Sequence, residues 1–154
     1  MSQYPQKTPV ILLVDDSPDD LLLIRKAFER ARMPNALLAV SSGQEAIDYF
    51  QGRAVLPEPA THPVPDLLLL DIAMPGVDGF GVLTWVRSHP ALKTLPIIML
   101  ASSSLEKDVA KAYDLGANAF LVKPVKFDEL VDSLKSLVEY WCAFSRAPQR
   151  PRTI

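Results

Sequence analysis

Asp15 and Asp16 stand together just after the apolar run 10–14, Asp71 follows the run 67–70, and Lys123 follows the run 119–122. Each of these groups sits at the carboxyl end of a segment that reads as a strand. Three carboxylates brought together repel one another, and one would hold its proton unless a cation sat among them. Hard oxygen ligands that leave room for water and phosphate suit Mg2+. Such a metal and the Lys123 ammonium could neutralise a phosphoryl group arriving at the remaining carboxylate. Phosphoryl transfer needs little beyond that positioning and charge neutralisation, and a carboxylate is an accepted nucleophile for an aspartyl phosphate. Singly, each group has a bland explanation. Asp-Asp after a strand starts a turn or caps a helix, and Lys-Pro marks a surface turn. Acids at the ends of two strands and a lysine at a third are hard to reach by accident.

The elements that must bring these groups together are legible as alternating patterns. The runs 10–14, 37–40, 67–70, 97–100 and 119–122 are rich in Val, Ile, Leu and Ala. The third and fourth are apolar without alternation, as expected for strands covered on both faces. Segments of helical period lie between the runs. Ser17-Pro18 reads as an N-cap with proline at the first helical position, and Leu21, Ile24, Phe28 and Ala31 line one face. Ser42 with Glu45, and Ser103 with Glu106, have capping-box spacing. Asp78-Gly79 opens a third helix to about residue 87, and Gly116 ends a fourth. A fifth runs from about 127 to 145, with Phe127, Leu130, Leu134, Leu137, Trp141 and Phe144 along one stripe. Five strand–helix units in succession predict an α/β fold, a five-stranded parallel sheet with helices on both faces. Ligands of such sheets bind beyond the carboxyl ends of the strands, where the acids and Lys123 stand.

At 154 residues the chain has room for one domain, expected over 9–145, between an N-terminal tail, 1–8, and a disordered C-terminal tail, 146–154. The loop 52–65 holds Pro57, Pro59, Pro63 and Pro65 and is expected to be extended and solvated. A net charge of -2 offers no basic face, so nucleic acid is not expected as a partner. No apolar run approaches the ~20 residues of a membrane span, and 1–8 lacks a signal-peptide stretch. The single cysteine, Cys142, cannot form an internal disulfide, so a cytoplasmic setting is the default. Cys142 is expected to serve as a small packing residue and Trp85, spaced with Val82, to be buried. His62 and His89 have no second His or Cys at metal spacing and are expected to be solvated.

Taken together, Val14-Asp15-Asp16, Leu70-Asp71 followed by Met74-Pro75-Gly76 and Asp78-Gly79, and Lys123-Pro124 resemble the CheY-like receiver domains of bacterial two-component response regulators. The resemblance spans about 9–144 and implies the (βα)5 flavodoxin-like receiver fold. It implies Asp71 as phosphoacceptor and Lys123 as the contact to the phosphoryl oxygens. Mg2+ would be held by Asp15, Asp16, Asp71 and the backbone carbonyl of Ala73, and the Lys123–Pro124 bond would be cis. The partner it implies is a histidine kinase. The Ser-Pro-Asp-Asp opening of the first helix, the long loop before the third strand and the ending Val138-Glu139-Tyr140-Trp141 look most like the small regulators paired with bacterial phytochromes.

The chain also departs from the pattern. The residue closing the fourth strand is usually Thr or Ser, whose hydroxyl meets the phosphoryl group, but here it is Ala101. Ser102 is the nearest hydroxyl, yet adjacent strand residues point to opposite faces. The aromatic switch position is Phe120, which has no hydroxyl. The expected function is a single-domain response regulator, phosphorylated on Asp71 and signalling through changed protein–protein association. Two alternatives stay open: a phosphorylation-independent binding module, and a phosphate shuttle or sink in a phosphorelay. A haloacid-dehalogenase-type phosphatase would want a second acid where Ala73 stands, so an enzyme is not expected. With no effector domain in the sequence, output is expected through the fourth helix, fifth strand and fifth helix, as a homodimer or kinase complex anchored by Trp141 and Phe144.

Overall fold

Five short apolar runs form the strands β1 (Val10–Val14), β2 (Ala36–Val40), β3 (Leu67–Asp71), β4 (Ile97–Ala101) and β5 (Ala119–Val122). The helices α1 (Pro18–Arg30), α2 (Gly43–Phe50), α3 (Gly79–Arg87), α4 (Glu106–Asp114) and α5 (Phe127–Glu139) alternate with them. These elements belong to a computed structural model that describes residues 8–34, 36–53 and 62–144, apart from the Phe144 side chain. All strand pairs are parallel, in the order β2-β1-β3-β4-β5. This is the expected flavodoxin-like order, with the chain reversing direction of growth beside β1.

Because side chains alternate along a strand, the apolar runs divide into two cores. Leu12, Val14, Leu68, Leu70, Ile97 and Met99 face α2, α3 and α4. Ile11, Leu13, Leu67, Leu69, Ile98 and Leu100 face α1 and α5. Strands β3 and β4 are buried throughout, which explains their lack of polar alternation. The edge strand β5 is only half-buried.

Three helix starts follow the local chemistry of a capping side chain, whereas α4 and α5 start without one. The Ser17 hydroxyl accepts from the Asp20 N–H, Ser42 from the Glu45 N–H and Asp78 from the Gly81 N–H. Glu45 reaches back one residue further than a capping box would, to the Ser41 N–H at 2.7 Å. Ser103 does not cap α4. That helix starts at Glu106 after Leu105, whose carbonyl accepts from the Asp108 and Val109 N–H groups. Gly116, at φ 104, ends α4 as expected.

The end of α5 also differs from a straight stripe. Residues Tyr140–Phe144 form a π-helical turn, which adds a residue to the turn and rotates the side chains beyond it. Trp141 and Cys142 are half-buried against the core facing α1 and α5, and the ring left 54% exposed is that of Tyr140. The side chain of Phe144, expected at an interface, lies outside the described residues, as do the tails over 1–7 and 145–154 and the loop residues 54–61. The remainder of that loop is not simply solvated. Pro65 is buried, and the Tyr49 hydroxyl donates to the Pro63 carbonyl at 2.7 Å. Both histidines also depart from expectation. His89 is half-buried, its ring 3.9 Å from that of Trp85, which is itself half-buried rather than enclosed. His62 packs on Tyr49 with ring centres 5.2 Å apart.

Candidate functional site

Strand register puts the chemistry at one edge. Val14 pairs with Leu70, so Asp15 and Asp71 leave β1 and β3 side by side. Ala101 pairs with Val122, so Lys123 leaves β5 at the same end. Backbone bonds extend the ladder past the strands and hold these residues. Asp15 donates to the Val40 carbonyl, Ile72 to Leu100 and Lys123 to Ala101. The start of α3 presses on the same place. Gly79 donates to the Ile72 carbonyl at 2.9 Å, and a Cβ there would collide with the Asp71 carbonyl. Only glycine allows that approach.

One oxygen each from Asp15, Asp16 and Asp71 lies within 4.8 Å of the others. Asp15 is fully buried and Asp71 nearly so. The Asp15 carboxylate accepts from the Ser17 N–H at 3.0 Å through Oδ1 and from Lys123 at 2.7 Å through Oδ2. The Lys123 Nζ also donates to Asp20 Oδ2 at 2.8 Å and lies 3.2 Å from Asp71 Oδ1. Among the described residues, one ammonium thus serves three carboxylates, with Asp16 as a fourth acid nearby.

Burial dominates the protonation of Asp71. It pushes the carboxyl up to about 6, against the attraction of Lys123 and with the repulsion of Asp15 and Asp16 adding to it. For Lys123, burial works against the charge, but hydrogen bonds to Asp15 and Asp20 and the charges of Asp15 and Asp71 outweigh it. The ammonium is held above its ordinary range. Buried and near-buried carboxylates in excess of cationic partners are the donor set a hard divalent cation needs, so the residues fit Mg2+.

The other expected site residues are spread around this edge. Ala73 is exposed in the loop after β3, two residues beyond Asp71. Ala101 is buried as the last residue of β4, whereas Ser102 is exposed. Phe120 is half-buried and packs inward on the core facing α2, α3 and α4. The Lys123–Pro124 bond is trans, since the described residues contain no cis peptide. The two isomers of an X–Pro bond differ by only about 0.5–1 kcal/mol, so tertiary context chooses, and here Lys123 reaches its carboxylates from the trans form. Asp20 is the site residue that sequence reasoning missed. It stands at capping-box distance from Ser17, in the first turn of α1, where an acid is ordinary at a helix start.

The family model for the response regulator receiver domain matches residues 11–135. The chain is 32% identical to the probable methanogenesis regulatory protein FilR2 of Methanothrix harundinacea, over 90% of this chain and 87% of that one. It is 30% identical to the response regulator Rcp1 of Synechocystis, over 92% and 94% of the two chains. A Mn2+-bound form of Rcp1 superposes with a TM-score of 0.77 at 28% identity, covering 92% of this chain and 99% of that one. The phosphorylated cyanobacterial phytochrome response regulator RcpA superposes with a TM-score of 0.81 at 31% identity, covering 93% of this chain and all of the other.

Proposed function

Since the chain belongs to the response regulator receiver family and resembles its small phytochrome-associated members, we propose that Asp71 accepts a phosphoryl group from a histidine kinase in a Mg2+-dependent reaction. The observation that carries this reading is the placement of Asp71, buried at the end of β3 with one oxygen 3.2 Å from the Lys123 ammonium and beside Asp15 and Asp16. An ionised Asp71 oxygen attacks phosphorus, the new O–P bond forms as the P–N bond to the donor imidazole breaks, and the electron pair leaves on that nitrogen. Lys123 donates to the transferring oxygens. Asp15, Asp16, Asp71 and the Ala73 carbonyl would hold Mg2+, which supplies positive charge to the phosphoryl oxygens. The relatives support both elements, since RcpA is known phosphorylated and Rcp1 with Mn2+ bound.

The family is one of signalling proteins, and the chain acts at most on its own phosphoryl group. A bacterial phytochrome is the kind of kinase the resemblance favours. Output passes through α4, β5 and α5, where Leu105, Tyr113, Val122 and Tyr140 are exposed. Ala101 and Phe120 favour a second reading, a receiver fold whose binding ignores phosphorylation, because neither supplies a switch hydroxyl. Intact mass after treatment with acetyl phosphate and Mg2+ separates the two. A single phosphate adduct mapped to Asp71, absent from Asp71→Asn, is expected. An unreactive wild type leaves the second reading, and an undiminished adduct on the variant overturns the assignment of Asp71.

A further inference from the structure

Lys123 spends its donors unevenly. Its two short bonds go to Asp15 Oδ2 at 2.7 Å and Asp20 Oδ2 at 2.8 Å, and its approach to Asp71 is the longest, 3.2 Å. Of these three acids, Asp15 and Asp71 belong to the cluster that can hold a metal, and Asp20 does not. A divalent cation drawn to Asp15 competes with Lys123 for that carboxylate. The lysine side chain is long and loses rotamer freedom when held, so without another anchor it would leave the site when it is needed.

Local chemistry leaves Asp20 available for this. Asp20 is the third residue of α1 and its N–H donates to the Ser17 hydroxyl. An acid at that position ordinarily folds back on the N–H of the capping residue. Here the Ser17 N–H is already taken by Asp15 Oδ1 at 3.0 Å. The Asp20 carboxylate instead reaches Lys123, 103 residues away in the chain. We propose that Asp20 is the positioning residue for Lys123, the carboxylate that holds its ammonium beside Asp71 once Asp15 is drawn to the metal. It acts only through Lys123 and touches no reacting atom. The assignment rests on the reading of Asp71 as phosphoacceptor.

The test crosses Asp20→Asn and Asp20→Ala with Lys123→Ala, and uses two readouts. The first is the rate of adduct formation from acetyl phosphate with Mg2+, and the second is Mg2+ affinity by calorimetry without any phosphodonor. With Lys123 present, Asp20→Ala should slow adduct formation roughly tenfold or more, and Asp20→Asn, which keeps an acceptor oxygen, should slow it less. In the Lys123→Ala background both substitutions should change the residual rate little. Mg2+ affinity should fall more with Lys123 present than absent, because a lysine deprived of Asp20 clings to Asp15. Wild-type rates in Asp20→Ala, or equal losses in both lysine backgrounds for both readouts, would overturn the proposal. If the wild type takes no phosphoryl group, the reading of Asp71 fails by itself, and the Mg2+ titrations still decide the role of Asp20.

Discussion

A carboxylate buried at the end of a strand is costly to ionise, and Asp71 carries that cost. Its pKa rises from 3.8 to about 6, chiefly through burial. A folded pKa above the unfolded one means stability that is fully present below about pH 4 and lost as the pH passes about 6. The loss is on the order of 2–3 kcal/mol at neutral pH. In the metal-free protein, Asp71→Asn should therefore be more stable than wild type at pH 8 and equal to it near pH 4. Urea melts at the two values check this, and a difference that does not vary with pH would contradict it. Added Mg2+ should favour the wild type, because the cation stabilises the ionised form. Burial and the charges of Asp15 and Asp16 raise the cost of ionising Asp71, and a divalent cation would relieve both.

Among the elements, α3 sets the position of Asp71 most directly. Its start is pinned by Asp78, which accepts from the Gly81 N–H at 2.9 Å, and by the Gly79 N–H on Ile72. Alanine is about 1 kcal/mol better than glycine in an exposed helix. At Gly79 that gain is overridden, because the added methyl meets the Asp71 backbone. Gly79→Ala should cost about 1–3 kcal/mol and weaken Mg2+ binding by displacing Asp71. Gly81→Ala is the matched control. Its Cβ would lie 3.0 Å from a Val77 side-chain carbon, which can yield more easily. Thermal melts and Mg2+ titrations of the two variants should separate clearly, and equal behaviour would refute the role of the close approach.

At the scale of the molecule, Arg87 ties three segments distant in sequence. Its guanidinium donates to the carbonyls of Gly116, Leu92 and Lys93 and to Asn118 Oδ1, and Asn118 in turn accepts from the Ile97 N–H. The end of α3, the turn before β4 and the entry to β5 are held by one planar fork. An ammonium cannot reproduce that geometry, so Arg87→Lys should cost about 2 kcal/mol in denaturant melts. A neutral result would show the fork to be dispensable. Association belongs to the same scale. Leu105 and Tyr113 are about half exposed beside β5, and apolar side chains of this size anchor interfaces when desolvated. Phosphorylated wild type should sediment as a dimer and Leu105→Asp as a monomer, with unchanged melting. Trp141→Ala should lower stability, since Trp141 packs on the domain's own core. A wild type monomeric in both states would remove the homodimer.

What the sequence determined alone is what short-range chemistry dictates. Apolar runs set the five strands to within a residue at each end, because burial on both faces selects β1, β3 and β4 and packing on the two cores selects the half-buried edges β2 and β5. Ser17-Pro18 and Asp78-Gly79 marked helix starts through capping groups only a few residues away. Asp15, Asp16, Asp71 and Lys123 were legible because strand ends in a parallel sheet all point to one edge. Tertiary structure alone decided how Lys123 divides its donors, since Asp15 and Asp20 lie 108 and 103 residues from it. It also set α4 to start at Glu106, three residues past Ser103, so the capping spacing of Ser103 goes unused. The trans Lys123–Pro124 bond, the packing of Trp141 on the core and the raised pKa of Asp71 have the same origin. Each depends on packing or burial by segments far away in the chain, which no window of neighbouring residues contains.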